Sequence, residues 1–141
     1  MQIPILEPQS IEKLIPQRSP MILVDSLWEY NETSAITGLT ITPTTPFVQG
    51  DSFAESGLIE HLAQSIALHK GYSYYLAHQL APMGYIGAIK HIEIYRPLQV
   101  GEVLKTHISI LQEFMGVTLV KLSSFINNEN ICIGEMKTVL A

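Results

Sequence analysis

The chain has 141 residues, of which 47% are hydrophobic and only 15% charged. That length suits one domain, and a fold of this size withdraws roughly two-thirds of its unfolded-chain surface from water without disulfide or metal staples. Eight basic against 13 acidic side chains leave a net charge of −5, which disfavours a nucleic-acid binder, whose phosphate contacts call for a basic face.

The single cysteine, Cys132, excludes an internal disulfide and a Cys-rich zinc site. Within Ile131-Cys132-Ile133 it reads as a small buried apolar residue. Met1-Gln2-Ile3-Pro4 offers neither a cationic start nor a long apolar run, so no signal peptide is expected. No stretch approaches the ~20 apolar residues of a membrane span. A cytoplasmic protein with no membrane partner is the expectation.

In chain order, residues 10–15 can form one short helix with Ser10 as its cap, stopped by Pro16. Residues 21–30 and 34–42 read as a β-hairpin about Asn31-Glu32, and Pro43-Thr44-Thr45-Pro46 breaks the pattern. Residues 53–80 carry no proline, and apolar positions recur at helical spacing: Leu58, Ile59, Leu62, Ala63, Ile66 and Ala67. They occupy most of the circumference, so the helix is expected to be covered nearly all round. Gly71 is a candidate end or bend. Four strands follow at 85–95, 103–111, 117–126 and 131–140. The order is two strands, one long buried helix, then four strands. A curved antiparallel sheet gripping a central helix satisfies it, in an α+β single domain over residues 1–141. The low charge content adds the expectation of a dimer.

Helical geometry sets Glu60 and Gln64 in neighbouring turns on one face, a polar stripe on an otherwise apolar helix. His61, Ser65 and His69 form a second stripe. Desolvation disfavours the charged form of a carboxyl group, and a carboxyl in an apolar cleft is a natural proton donor or acceptor. Gly57 lies one turn before Glu60, where backbone N–H groups at a helix start can polarise a carbonyl oxygen. With His61 it joins Gln64 as a substrate-binding candidate. His61 and His69 lie eight residues apart, about 12 Å along the axis, and cannot share a metal ion. No Gly-rich phosphate loop and no Gly-x-Ser-x-Gly elbow is present. No metal or cofactor is expected.

Four segments carry a resemblance. Ile15-Pro16-Gln17-Arg18-Ser19-Pro20-Met21-Ile22-Leu23-Val24-Asp25 resembles the Pro-His-Arg-x-Pro-x-Leu-Leu-Val-Asp opening of the β-hydroxyacyl-acyl-carrier-protein dehydratases, with Gln17 in place of the histidine. Phe47-Val48-Gln49-Gly50 resembles the start of that family's active-site loop. Gly57-Leu58-Ile59-Glu60-His61-Leu62-Ala63-Gln64 resembles its helix motif, and Ile94 to Glu102 its Phe-x-x-Pro-Val-x-Pro-Gly-Asp strand end. The resemblance implies a hotdog fold and a dimer with active sites between subunits, acting on a thioester of acyl carrier protein. In that family a histidine from one subunit takes the α-proton and the helix glutamate of the other protonates the departing β-hydroxyl. Glu60 matches that glutamate, Gln64 the supporting glutamine and Gly57 the helix-start glycine.

The His-Phe-Pro segment that supplies the base is absent, and Asp51-Ser52-Phe53 follows Gly50 instead. In this the chain is similar to the dehydratase-like proteins of aryl-polyene and flexirubin-type pigment clusters. Asp51 is the candidate base, with Glu60 acting in both roles as the alternative. Two further functions stay open: a non-catalytic acyl-binding or heterodimer-forming hotdog subunit, and an acyl thioesterase. Acyl carrier proteins are acidic, so docking on an acidic chain needs a local cationic patch. Arg18, Lys90 and Arg96 are its candidates.

Overall fold

The computed structural model describes residues 4–82 and 84–140. A four-residue helix α1 (Pro8–Ile11) is followed by the hairpin β1 (Ser26–Asn31) and β2 (Ser34–Thr40). Next come the two-residue strands β3 (Val48–Gln49) and β4 (Ser52–Phe53), then the 22-residue helix α2 (Glu55–Leu76). The remainder is β5 (Gly84–Ile94), β6 (Leu98–Gln99), β7 (Val103–Phe114), β8 (Val117–Ile126) and β9 (Glu129–Leu140). Six strands form one antiparallel sheet in the order β1-β2-β7-β8-β9-β5. β3, β4 and β6 make a second, small sheet beside the start of α2.

Period-2 alternation aims one face of the large sheet at the helix. Leu104, Thr106 and Ile108 of β7 and Val120, Leu122 and Ser124 of β8 are buried, while exposed or half-buried residues alternate with them. Each fully buried leucine or isoleucine of this set stabilises the fold by about 1.5–3 kcal/mol. The helix is buried on almost every side, Leu58, Leu62, Ile66 and Leu68 alongside His61, Gln64, Ser65 and His69. Tight two-residue connections close the hairpins. Met115 and Gly116 both have positive φ (52° and 78°), as a turn matching the strand twist requires.

Residues 11–24 form a strap across the helix, burying Ile11, Ile15, Leu23 and Val24. It explains two departures from the sequence reading. A Cβ on Gly71 would run into the Leu14 carbonyl, so this glycine admits the strap and α2 continues through it. Residues 21–25 are not strand, because their backbone polar groups are spent on helix side chains: Leu23 N–H donates to Gln64 Oε1 (2.6 Å) and its carbonyl accepts from the His61 ring (2.6 Å). The short helix starts at Pro8 rather than behind a Ser10 cap.

Candidate active site

Glu60 stands on the face of α2 that floors a cavity of about 500 Å³. The strap walls it at Leu14, Ile15, Pro16 and Gln17, and the β5 and β9 ends at Gly84, Ile86 and Leu140. The lining is largely apolar, so a hydrocarbon chain fits it better than a polar ligand.

Behind Glu60 lies a fully satisfied polar lock. Gln64, 0% exposed, donates from Nε2 to Glu60 Oε1 (3.1 Å) and to the Met21 carbonyl (2.9 Å), while its Oε1 accepts from Leu23 N–H. His61, also 0% exposed, has its Nδ1 against the Leu23 carbonyl, which can only accept; that nitrogen therefore carries the proton. Its Nε2 then accepts from Thr106 Oγ1 at 2.8 Å, and Ser124 Oγ donates to Thr106 at 2.7 Å. Burial lowers the His61 pKa to about 4, so the ring is neutral at physiological pH. One carboxylate oxygen of Glu60 is thus aimed by Gln64, and Gln64 is fixed by the strap. Neither Gln64 nor His61 lines the cavity; both act on it through Glu60 and the strap.

Gly57 is buried, and a Cβ there would meet the Phe53 ring at 2.7 Å and Phe47 Cβ at 2.8 Å. Its N–H donates to the Ala54 carbonyl (3.0 Å) and is thereby used within the first helical turn. Phe47 holds a left-handed backbone (φ 69°) with its carbonyl accepting from Ala54 N–H (3.0 Å). The absent side chain of Gly57 is what lets this loop lie against the helix start.

Asp51 is exposed in the turn between β3 and β4, outside the cavity that holds Glu60, and its carbonyl accepts from Val100 N–H (2.9 Å). Of the three docking candidates, Arg18 and Lys90 are exposed. Arg96 is bidentate on Glu102 (3.1 and 2.8 Å) and also donates to Glu129 (3.1 Å). These bonds push the guanidinium pKa up and hold the Glu102 carboxyl below its ordinary range. Burial pushes the Cys132 thiol up to about 11, which leaves it inert. Among the described residues no three His, Cys, Asp or Glu side chains cluster closely enough to hold a metal ion, and no helix is long and apolar enough to cross a membrane. Lys13 and Lys70 also line the cavity, one in the turn after α1 and the other on α2; a lone lysine in a sequence carries no signal of which element will cover it.

The chain is similar to proteins of known kind. A 3-hydroxyacyl-[acyl-carrier-protein] dehydratase FabZ of Pediococcus pentosaceus is 26% identical over 142 residues, spanning 96% of this chain and 93% of that protein. The enzyme of the same name from an Anaeromyxobacter species is 28% identical over 116 residues, spanning 78% and 74%. Among solved structures, the dehydratase heterocomplex ApeI:P from Xenorhabdus doucetiae matches with a TM-score of 0.87 over 100% of this chain and 93% of that one, at 15% identity. That likeness establishes the hotdog fold. The family model described as ApeP dehydratase matches residues 9–133, and with the helix carboxylate in place the chain belongs to the ApeP-like dehydratase family.

Proposed function

We propose that the chain dehydrates 3-hydroxyacyl thioesters of acyl carrier protein to trans-2-enoyl thioesters, releasing water, as one hotdog domain over residues 1–141 acting in the cytoplasm. The observation that carries the reading is Glu60, a carboxyl group held by Gln64 at the edge of a largely apolar, chain-sized cavity. A base removes the α-proton and the C–O bond at the β-carbon breaks. Glu60 gives its proton to the departing hydroxyl, which leaves as water, and the proton taken by the base restores the pair. Gln64 and His61 are positioning residues in this scheme. Gly57 shapes the loop: its N–H is spent on the Ala54 carbonyl and the helix start lies outside the cavity, so it is not the donor to the thioester oxygen.

Asp51 lies outside the cavity of its own chain, which leaves two sources for the base: Glu60 acting in both roles, or a second hotdog subunit that completes the site. In a homodimer Asp51 of that copy is the candidate base. A heterodimer is the second reading, favoured by the absence of a His-Phe-Pro segment and by the likeness to a solved structure that is itself a heterocomplex. The chain is then the acid-bearing half, and the partner brings the base.

The purified chain is tested alone on 3-hydroxyacyl carrier protein, with formation of the conjugated enoyl thioester followed by ultraviolet absorbance. Turnover that falls on Asp51→Asn by the ~10²–10⁴-fold typical of general acid–base catalysis supports the homodimer. Turnover that appears only with a second hotdog subunit supports the heterodimer. No turnover with either sinks the dehydratase reading.

A further inference from the structure

The cavity is chemically asymmetric along the helix. Glu60 occupies one end and Lys70 the other, ten residues on, which is about 15 Å along an α-helix. Between them the floor is Ala63, Ile66 and Ala67, apolar throughout, and just past Lys70 the strap closes onto Gly71 through the Leu14 carbonyl. Lys13, itself exposed, lines the same cavity beside Leu14, which packs on Gly71 one residue past Lys70. Two of the eight cationic side chains of an acidic protein therefore face one apolar channel. Lys70 is only 16% exposed, and its one ion pair among the described residues, to the 54% exposed Glu113, is long at 3.8 Å. A lysine ammonium has three N–H donors, so most of its capacity is left for a group arriving through the channel.

Resting on the thioester reading above, we infer that Lys13 and Lys70 receive a carboxylate on the distal end of the acyl chain, which makes this a site for ω-carboxyacyl rather than methyl-ended substrates. The thioester and its β-carbon sit at Glu60, the hydrocarbon crosses the alanine floor, and the distal anion meets both ammonium groups. The phosphate of a pantetheine arm is the other anion tethered to such a thioester. The channel argues against it: a pantetheine arm carries two amides, and buried amides without partners are costly. Among the described residues the lining offers only Gln17 and Thr138 as uncharged polar side chains, and Gln17 Oε1, buried without a partner, is one acceptor for two amides.

The test measures binding and does not depend on turnover. N-acetylcysteamine monothioesters of a long-chain α,ω-dicarboxylic acid and of the methyl-ended acid of equal length lack the hydroxyl and cannot react. Titration calorimetry should show the carboxylate-ended probe at least about tenfold tighter, the equivalent of one charge-assisted hydrogen bond. Lys70→Met and Lys13→Met should each bring that ratio towards one, and Lys70→Arg should keep it. Because the ratio is taken within one protein, a partly misfolded variant does not distort it. Equal affinity for the two probes in the unmodified chain overturns the inference, as does a preference that survives both methionine variants. A lysine-dependent gain from phosphopantetheine over pantetheine thioesters, with none from the distal carboxylate, overturns it equally. If turnover fails in every assay while the carboxylate preference stands, the dehydratase reading falls and the binding site remains.

Discussion

The two edges of the large sheet are finished in different ways. Along β1, Leu6 forms a bridge with Leu27: Ile5 N–H donates to the Leu27 carbonyl (2.6 Å) and Leu27 N–H to the Leu6 carbonyl (3.1 Å). The strap continues from there over the helix, so that edge is capped by the chain itself at its first residues. β5, the other edge, is 11 residues long and pairs with β9 alone. Ile86 and Ile89 are 40% and 47% exposed, and the pairing register slips twice, between Ile86 and Ala88 and between Ile89 and His91. A long edge strand with apolar side chains is an aggregation hazard that natural proteins cover. One edge needs no partner and the other calls for one, and Glu60 lies in the cavity whose walls come from both sides.

The largest expected effect tests what that cavity is for. Glu60→Gln keeps size and hydrogen bonding but removes the transferable proton, so the dehydration rate should fall by ~10²–10⁴-fold. Both edges and the particle mass stay unaltered. Unchanged turnover at full protein concentration would remove Glu60 from the chemistry. The next effect falls on the open edge. Ile86→Lys with Ile89→Lys sets charges along β5, and sedimentation velocity should show self-association weakened at least about tenfold. If the sedimenting mass of the double variant matches that of the parent, β5 is not the subunit contact.

The asymmetry between the edges also separates what was legible in the sequence from what was not. The helix was legible because the apolar positions from Leu58 to Ala67 repeat at 3–4 residues, and four strands after it because turn residues punctuate alternating runs. Glu60 and Gln64 stood out as a polar pair on an apolar helix, and the structure joins them at 3.1 Å. The strap was not legible. Residues 21–25 are as apolar as a strand, and only the tertiary bonds from Gln64 and His61 withdraw them from the sheet. Gly71 looked like a stop for the same reason, since the segment that requires its missing side chain lies almost sixty residues earlier. His61 read as a substrate-binding candidate, whereas both of its nitrogens are taken inside the core.

The closed side carries its own pH signature. His61 is held neutral in the folded chain, with its pKa lowered to about 4, while the unfolded chain takes up the proton near 6.5. Below pH 6.5 the unfolded state therefore binds more protons. The contribution is complete above 6.5 and is lost as pH falls towards 4, by roughly 3 kcal/mol in all. His69, lowered mainly by burial, acts in the same direction. Denaturant unfolding at a series of pH values should show stability level above 6.5 and declining below it, and His61→Gln should flatten that slope. A slope identical in the variant would assign the proton uptake to other groups.

The smallest expected effect concerns carrier docking, where burial and pairing separate two arginines. Arg96 shares one positive charge with two carboxylates, Glu102 and Glu129, so its surroundings are net negative and an acidic carrier protein gains nothing there. The cluster is partly solvent-exposed, with Arg96 at 29%, and removing one of its members costs no more than about 1 kcal/mol of stability. Arg18 is exposed, and its Nη1 donates to the Ile15 and Gln17 carbonyls (2.6 and 2.9 Å), which fixes the charge on the strap beside the cavity wall. Charge at that position acts on the carrier through solvent and is screened over about 10 Å at 0.1 M salt. Arg18→Glu should therefore weaken carrier-protein binding several-fold at low ionic strength, with the loss fading as salt is raised. Arg96→Gln together with Glu129→Gln, which removes one charge of each sign and keeps the local net charge, should leave the affinity within about twofold at either salt. Titration of both variants with acyl carrier protein at two salt concentrations decides between them. A larger loss at Arg96 than at Arg18 would move the docking surface from the strap to the β6 end of the sheet.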